Sequence, residues 1–298
     1  MRILVAGSSG FLGSHLVEHL RGQGHQVTRL VRREPGRSEV RWDPYGDGLP
    51  AGALEGVEAV VNLAGAPTMG NPHSRRWARE LRESRVVTTR VLADAVAMQE
   101  SPPAFLAGNG ISVYGDHGEE PVDERSDSRG EALLTRVSRE WEEATAPATQ
   151  AGARVCVLRT APVLDHRAAP LSQLRILFRL GLGARLGRGD QRFPVISLRD
   201  WVGAVAFLTG SHDLSGPFNL CCPQTPTNAE FTQALARAVG RPAFLVAPGP
   251  VLRCAAGPMA PEILGSVHAR PAALEHAGYD FSDLDVDDVL AAALRAAG

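Results

Sequence analysis

Apolar residues at the start of the chain first form a short run and then recur with helical spacing. Residues 2–6 are a strand-like run that ends in glycines, and residues 11–23 place Leu12, Leu16 and Leu20 on one helical face. The pattern therefore predicts a strand, a glycine turn and a helix in direct succession.

The same alternation continues to about residue 165. It predicts further strands at 25–33, 59–65, 104–115 and 154–164, and helices at 83–98 and 131–145. Strands joined by helices of this length require right-handed crossovers and a mostly parallel sheet with both faces covered. We therefore predict an α/β fold with a Rossmann-type, doubly wound parallel sheet.

Beyond residue 165 proline and glycine become frequent, which predicts a smaller, mixed C-terminal lobe. One helix is predicted over 230–239, with Asn228 as its N-cap. We predict two domains, the doubly wound domain at 1–165 and the C-terminal lobe at 166–298. Within the second range, residues 196–222 are the segment that can return to the first domain.

Charge and composition exclude several classes of partner. The formal net charge is −2, which gives no basis for binding nucleic acid or an anionic membrane. The chain has no lysine, so all 31 basic residues are arginines. No pattern in the chain defines an oligomeric state.

Cysteine spacing and hydropathy predict an ordinary cytoplasmic protein. The four cysteines lack C-x-x-C spacing, and the histidines lack partners at ligand spacing, so neither a disulfide framework nor a metal site is predicted. No charged leader precedes an apolar segment, and no apolar run reaches the roughly 18 residues of a membrane span.

The glycine turn has the spacing of a dinucleotide-binding loop. Gly7, Gly10 and Gly13 give G-x-x-G-x-x-G between the first strand and the first helix. Such a turn brings backbone N–H groups and the positive end of a helix to a pyrophosphate. The predicted ligands are Gly7, Ser9, Gly10, Phe11, Leu12 and Gly13. The alternative is a tight turn that binds nothing; a Walker-type loop is excluded because it needs lysine.

Arginines at the end of the second strand favour NADP(H) over NAD(H). NAD-binding proteins place Asp or Glu there to bind the ribose 2′-hydroxyl, whereas this chain has Arg32 and Arg33. A guanidinium suits the 2′-phosphate of NADP through a bidentate, charge-assisted contact. Arg32 is nearer the strand end and is the preferred ligand. The alternative is that both are solvated loop arginines.

Several blocks of sequence together identify a family resemblance. They are GSSGFLG (7–13), LVRR (30–33), VVNLAG (60–65), SRVVTT (84–89), ISLRDWVGA (196–204) and TNAEFTQAL (227–235). The chain resembles the epimerase-family subgroup of atypical short-chain dehydrogenases/reductases. That subgroup has a domain like the NAD-dependent epimerases/dehydratases, followed by a small C-terminal domain of unknown function.

The resemblance implies further cofactor contacts. Leu63, Ala64 and Gly65 are expected to pass under the cofactor, and Arg85 to reach the cofactor side. Pro162 and Val163 are expected at the nicotinamide end. The alternatives are that 63–65 is only a strand terminus and that Arg85 is a surface helix residue.

The resemblance also exposes missing catalytic groups. The superfamily uses a Tyr four residues before a Lys as general acid/base, together with a Ser that orients the substrate. In this chain Gly110, Thr135 and Arg139 stand at the Ser, Tyr and Lys positions. A threonine hydroxyl is too weak an acid to replace a phenol, so the standard mechanism is not expected.

Four polar residues remain as weak catalytic candidates: Asn109, Ser112, Tyr114 and Arg139. Tyr114 precedes a glycine at a predicted strand end and is the candidate acid, with structural packing as the alternative. In the C-terminal lobe, Phe178, Arg192, Phe193 and Trp201 are plausible residues of a cleft for an unknown small molecule. Two hypotheses remain: an NADP-dependent oxidoreductase or epimerase with unconventional acid/base groups, or a cofactor-binding sensor or structural partner without turnover.

Overall fold

The computed structural model describes residues 1–295. Its strands are β1 (Arg2–Ala6), β2 (Gln26–Val31), β3 (Glu39–Arg41), β4 (Ala59–Asn62), β5 (Ala104–Gly110), β6 (Pro121–Val122), β7 (Val155–Thr160), β8 (Val163–Leu164), β9 (Ala184–Leu186), β10 (Ile196–Ser197), β11 (Gly216–Leu220), β12 (Leu245–Ala247) and β13 (His268–Ala269). Its α-helices are α1 (Phe11–Gly22), α2 (Arg75–Ala97), α3 (Leu133–Glu143), α4 (Ala146–Gln150), α5 (Leu171–Arg179), α6 (Leu198–Gly210), α7 (Asn228–Val239), α8 (Gly249–Ala256), α9 (Ala260–Leu264), α10 (Ala272–His276) and α11 (Val286–Leu294).

Seven strands form the central sheet in the order β3-β2-β1-β4-β5-β7-β11. The β1–β2, β1–β4, β2–β3 and β4–β5 pairs are all parallel. The direction of winding reverses between β1 and β4, which is the switch point where Rossmann-type sheets bind ligands at the carboxyl ends of their strands. The predicted α/β, doubly wound fold is confirmed.

The sheet forms because its strands are apolar on both faces. Ile3, Leu4 and Val5 of β1 are buried, and Val60 of β4 and Phe105 of β5 are buried in the same way. Each such side chain contributes roughly 1.5–3 kcal/mol through burial. This two-sided burial is why the sequence shows continuous apolar runs in place of strict alternation.

The chain folds into two compact units. The first comprises Met1–Asn109, Val137–Leu158 and Val202–Pro217, and the second comprises Gly110–Arg136, Arg159–Trp201 and the chain from Phe218 onward. The second unit has its own apolar core, which includes Leu164, Phe178, Phe231, Leu235 and Leu290. The predicted division into residues 1–165 and 166–298 stays a prediction.

The long helix α2 begins earlier than its apolar pattern indicates. Ser74 is its N-cap and accepts a hydrogen bond from the backbone of Trp77. The prediction of a start at residue 83 was wrong because the first two turns are mostly polar and carry little periodicity. Across residues 1–295, no helix is both long and apolar enough to cross a membrane. The cytoplasmic location stays a prediction.

The predicted strands at 25–33, 59–65, 104–115 and 154–164 all end sooner in the structure, and the last two differ most. After Gly110 the chain forms a 3₁₀ turn over Ile111–Tyr114, in which Ile111 and Val113 are buried as they would be in a strand. The apolar pattern cannot distinguish these two conformations. The predicted strand at 154–164 is interrupted by Pro162, which has no N–H for the ladder, so β8 pairs with β10 in a separate two-stranded sheet.

The N-cap of α7 is Thr227, and the prediction of Asn228 was wrong by one residue. The Thr227 hydroxyl accepts from the backbone of Glu230, whose carboxylate accepts from the backbone of Thr227. This reciprocal pair is a capping box. The Asn228 side chain instead accepts a hydrogen bond from the backbone of Leu186 at 2.8 Å.

Candidate functional site

The first and last glycines of the turn are required by the packing of the protein itself. Gly7 has φ +75°, and a Cβ there would overlap the backbone carbonyl of Leu63. A Cβ on Gly13 would overlap the carbonyl oxygen of Gly7 and lie 2.9 Å from Cα of Ser8. These two glycines therefore allow β1, α1 and the end of β4 to approach closely.

Gly10 differs because the space beside it is not filled by the protein. Its φ of −73° and ψ of 168° suit any residue, and a Cβ there would meet only the carbonyl oxygen of Gly7, at 3.3 Å. Gly10 and Ser9 are exposed. Helix α1 begins at Phe11, followed by Leu12, and no side chain caps its N-terminus. This open helix N-terminus suits an anionic group such as a pyrophosphate.

The two arginines after β2 have different environments. Arg33 donates to both carboxylate oxygens of Glu39, at 2.7 and 2.8 Å, and Arg29 binds the same carboxylate. The hydrogen bonds from Arg33 hold the pKa of Glu39 down, to about 2. Arg32 is exposed and forms no hydrogen bond or ion pair with any residue in 1–295. Of these two arginines, Arg32 is therefore the one whose hydrogen-bond donors are available to a ligand.

The segment after β4 is fixed by a buried asparagine. Asn62 accepts from the backbone of Ala64 at 3.0 Å and donates to the hydroxyl of Thr89 at 2.8 Å. The structure brings the carbonyl of Leu63 against Gly7, while Gly65 is exposed. Leu63, Ala64 and Gly65 thus lie beside the glycine turn, at the carboxyl edge of the sheet.

Arg85 of α2 lies against this same segment. Its Cγ and Cζ are each 3.5 Å from where a Cβ of Gly65 would lie, and its Nη2 donates to the hydroxyl of Thr68 at 3.1 Å. The guanidinium carbon lies 5.2 Å from the centroid of the Trp141 ring, a cation–π arrangement. Burial lowers the pKa of Arg85 to about 10.

The remaining predicted cofactor residues belong to the second unit. Pro162 and Val163 are half-buried, and Val163 is paired with Ile196 in the β8–β10 sheet. Their carbonyl and side-chain positions are set by this short ladder, in which the backbone of Ile196 donates to the carbonyl of Pro162 at 3.2 Å. Their proximity to a nicotinamide stays a prediction.

Tyr114 lies in a buried polar network and not at a strand end. It is 1% exposed, donates to the side-chain oxygen of Asn219 at 2.8 Å and accepts from Arg159 at 2.9 Å. Burial raises its pKa to about 12. Both hydrogen-bonding roles of the hydroxyl are therefore occupied, which favours the structural alternative over an acid role.

Replacing Tyr114 by phenylalanine is expected to lower the free energy of unfolding by about 1–3 kcal/mol, because Asn219 and Arg159 each lose a buried hydrogen bond. Denaturant titration measures the loss. The matched control is Tyr45→Phe, since Tyr45 is 56% exposed and its change should stay within about 0.5 kcal/mol. Equal stabilities for the two variants would contradict the network.

Among the other catalytic candidates, Asn109 is held by hydrogen bonds within the protein. Asn109 is buried and donates to the carbonyl of Ser138 at 3.2 Å and to the carboxylate of Glu142 at 3.1 Å. Ser112 is half-buried in the 3₁₀ turn, and Arg139 is half-buried on α3. Catalytic roles for Asn109, Ser112 and Arg139 stay a prediction.

Glu262 makes a contact that was not predicted from the sequence. One of its carboxylate oxygens accepts from the backbone N–H of Leu134 at 2.9 Å and of Thr135 at 3.3 Å, so it caps the start of α3. Burial raises its pKa. The sequence separation of more than a hundred residues left no local signal for this contact.

Two of the predicted cleft residues lie in the core. Trp201 is buried and donates to the hydroxyl of Thr160 at 3.2 Å, and Phe178 is buried in the apolar core of the second unit. Phe193 packs edge-on against Phe231, with ring centroids 5.2 Å apart. The expectation that Trp201 and Phe178 line a cleft was wrong, because aromatic residues in a Pro/Gly-rich segment also serve to fill a small core.

A parallel sheet that reverses at β1/β4, with a glycine turn opening an uncapped helix, defines a Rossmann-type α/β protein. Residues 3–220 match the model of the NAD dependent epimerase/dehydratase family, and residues 247–293 match a domain of unknown function, DUF1731. The chain belongs to the NAD dependent epimerase/dehydratase family. This confirms the resemblance found in the sequence.

Relatives of known sequence and structure match nearly the whole chain. An epimerase family protein of Mycobacterium tuberculosis is 42% identical over 294 residues, which cover 97% of this chain and 96% of that protein. The crystal structure of human epimerase family protein SDR39U1 (isoform 2) with NADPH has a TM-score of 0.87 and 31% identity, and covers 97% of this chain and 98% of that one. A nucleoside-diphosphate sugar epimerase of Corynebacterium glutamicum has a TM-score of 0.81 and 32% identity, and covers 99% of this chain and 58% of that one.

Proposed function

We propose that the protein binds NADP(H), with the pyrophosphate at the glycine turn and the 2′-phosphate on Arg32. The observation that carries the proposal is the exposed guanidinium of Arg32 after β2, together with the open space at Gly10 after β1, the strand that pairs with β2 in parallel. Adjacent parallel strands end at the same edge of a sheet, so the two groups can serve one dinucleotide.

The neighbouring acid does not oppose this preference. Glu39 begins β3, but its carboxylate is engaged by Arg33, Arg29 and the backbone N–H of Gly36. It is therefore not available to bind a ribose 2′-hydroxyl as the acid of an NAD site does. The human relative whose structure was determined with NADPH supports the same choice of cofactor.

We further propose that the protein is an NADP-dependent oxidoreductase or epimerase, which is consistent with the family. It would act on a small molecule through unconventional acid/base groups. The bound cofactor supplies or accepts hydride in such chemistry. The residues of this chain bind and orient it: the turn holds the phosphates, and the segment 63–65 lies beneath. The second candidate, a cofactor-binding sensor without turnover, is favoured by the occupied hydroxyl of Tyr114 and by the absence of lysine from the chain.

Replacing Arg32 by alanine tests the choice of cofactor. A charged hydrogen bond contributes about 1.5–3 kcal/mol, so we expect the variant to bind NADPH roughly tenfold to a hundredfold more weakly, with NADH affinity unchanged. Calorimetric titration of both cofactors measures this. Arg33→Ala is the matched control and should weaken NADPH binding less, because Arg33 is engaged by Glu39. Equal dissociation constants of the wild-type protein for NADPH and NADH would overturn the proposal.

A further inference from the structure

In the part of the chain that the structure describes, Arg85 is a half-buried cation without an acidic partner. Across residues 1–295 it forms no ion pair, and its guanidinium donates only to the backbone carbonyl of Leu81 at 3.0 Å and to the hydroxyl of Thr68 at 3.1 Å. Burial is the only cause acting on its pKa, which falls to about 10. A charge removed from water is ordinarily compensated by a counter-ion or a full set of hydrogen bonds.

Arg154 of the same unit shows what such compensation looks like. Arg154 also has no carboxylate partner within residues 1–295, yet one of its nitrogens donates to the carbonyls of Leu208 and Leu214, at 3.1 and 3.0 Å, and the other to the carbonyl of Thr209 at 3.4 Å. Two of these carbonyls lie in the last turn of α6, which carries partial negative charge. Arg85 has no comparable set of acceptors, so part of its donor fork is left for another group.

The guanidinium of Arg85 is held in place before any ligand binds. Trp141 lies against it, and the Trp141 indole N–H is itself fixed by the hydroxyl of Thr89 at 2.7 Å. The segment that carries Thr68 is tied to α2 by the backbone N–H of Ala66, which donates to the Ser84 hydroxyl at 2.8 Å. Gly65 and Thr68 are exposed, so solvent reaches this part of the segment.

We propose that Arg85 and Thr68 form a receptor for an oxyanion, a phosphate or carboxylate group of a ligand bound at the carboxyl edge of the sheet. The oxyanion takes the place of the missing counter-ion and accepts from the fork of the guanidinium and from the Thr68 hydroxyl. This inference rests on the proposed function for its location after β4. The oxyanion is carried either by the dinucleotide or by a second small molecule.

The test uses Arg85→Met, which keeps an unbranched apolar stem against Trp141 and removes the charge. Inorganic phosphate is titrated into the wild-type and variant proteins, alone and after saturation with NADPH, and NADPH is titrated separately. We expect Arg85→Met to weaken at least one of these titrations about tenfold or more. The matched control is Arg82→Met, one turn away on α2, where an exposed arginine pairs with Glu140. It should leave all three titrations within about twofold.

The two phosphate titrations, without and with NADPH, identify the source of the oxyanion. Arg85-dependent phosphate binding that NADPH abolishes assigns the site to the dinucleotide, whereas binding that persists beside NADPH assigns it to a second ligand. Unchanged titrations in Arg85→Met would overturn the inference. If the wild-type protein bound no NADPH, the proposed function would fail, and phosphate binding to the cofactor-free protein would still decide whether Arg85 is an oxyanion receptor.

Unfolding temperature provides an independent readout. An uncompensated cation destabilises the ligand-free fold, so Arg85→Met should melt at the same temperature as the wild-type protein or above it. If Arg85 instead served to hold the segment 65–68 in place, Arg85→Met should melt at a lower temperature than the wild-type protein. A fall in melting temperature with unchanged phosphate and NADPH binding would show that Arg85 is structural.

Discussion

Gly10→Val is expected to abolish NADP(H) binding and to leave the fold intact. The added side chain would occupy the space that the protein leaves open beside the helix N-terminus, where the turn approaches a pyrophosphate. The backbone angles of Gly10 are allowed for valine, so the expected loss of unfolding free energy is only about 1 kcal/mol, mainly from a poorer N-cap. Thermal stabilisation by NADPH, present in the wild-type protein, should disappear.

Two other glycines provide matched controls. Gly22 lies at the far end of α1 with nothing within 4 Å of its Cβ position, so Gly22→Val should keep full NADPH binding. Gly13→Val should instead destabilise the protein itself, because its Cβ would overlap backbone atoms of Gly7. Full stabilisation of Gly10→Val by NADPH would show that the turn is purely structural.

The fold was predictable because strands that are buried on both faces of a sheet have a recognisable apolar pattern in the sequence. β1, β4 and β5 are continuous apolar runs, and the glycine triplet marks the crossover into α1. The boundaries were less predictable. Ile111 and Val113 are buried in a 3₁₀ turn as they would be in a strand, and only the three-dimensional packing distinguishes the two.

Part of the candidate site was predictable because residues that bind a ligand through their backbone leave a recognisable pattern in the sequence. Glycine spacing located the turn, and the arginines after β2 were visible in the chain. The sequence did not show which of the two arginines is available to a ligand. That depends on Glu39 of β3, whose carboxylate accepts hydrogen bonds from Arg33. Tyr114 shows the same limit: its partner Asn219 is 105 residues away in sequence, so its burial in a network has no local signal.

Hydride transfer by the ordinary tyrosine mechanism is expected to be slow or absent, even with NADPH tightly bound. The chain has no lysine, and the family resemblance predicts Thr135 at the position of the catalytic tyrosine. The Thr135 hydroxyl is fully buried and has no hydrogen-bond partner within residues 1–295. Since a positioned acid/base contributes about 10²–10⁴ in rate, its absence should lower turnover by about that factor.

Thr135→Val is the variant that tests this expectation. Valine has nearly the same shape and removes only the unpartnered hydroxyl, so NADPH affinity and any residual oxidation of NADPH with a panel of aldehydes and ketones should stay unchanged. Stability should remain equal or rise by up to about 1 kcal/mol, because a buried hydroxyl without a partner carries a desolvation cost. Rapid NADPH oxidation that collapses in Thr135→Val would identify Thr135 as the acid. Activity lost only in Tyr114→Phe, with the variant still folded, would move the acid to Tyr114 and show that its hydrogen bonds to Asn219 and Arg159 open during the reaction.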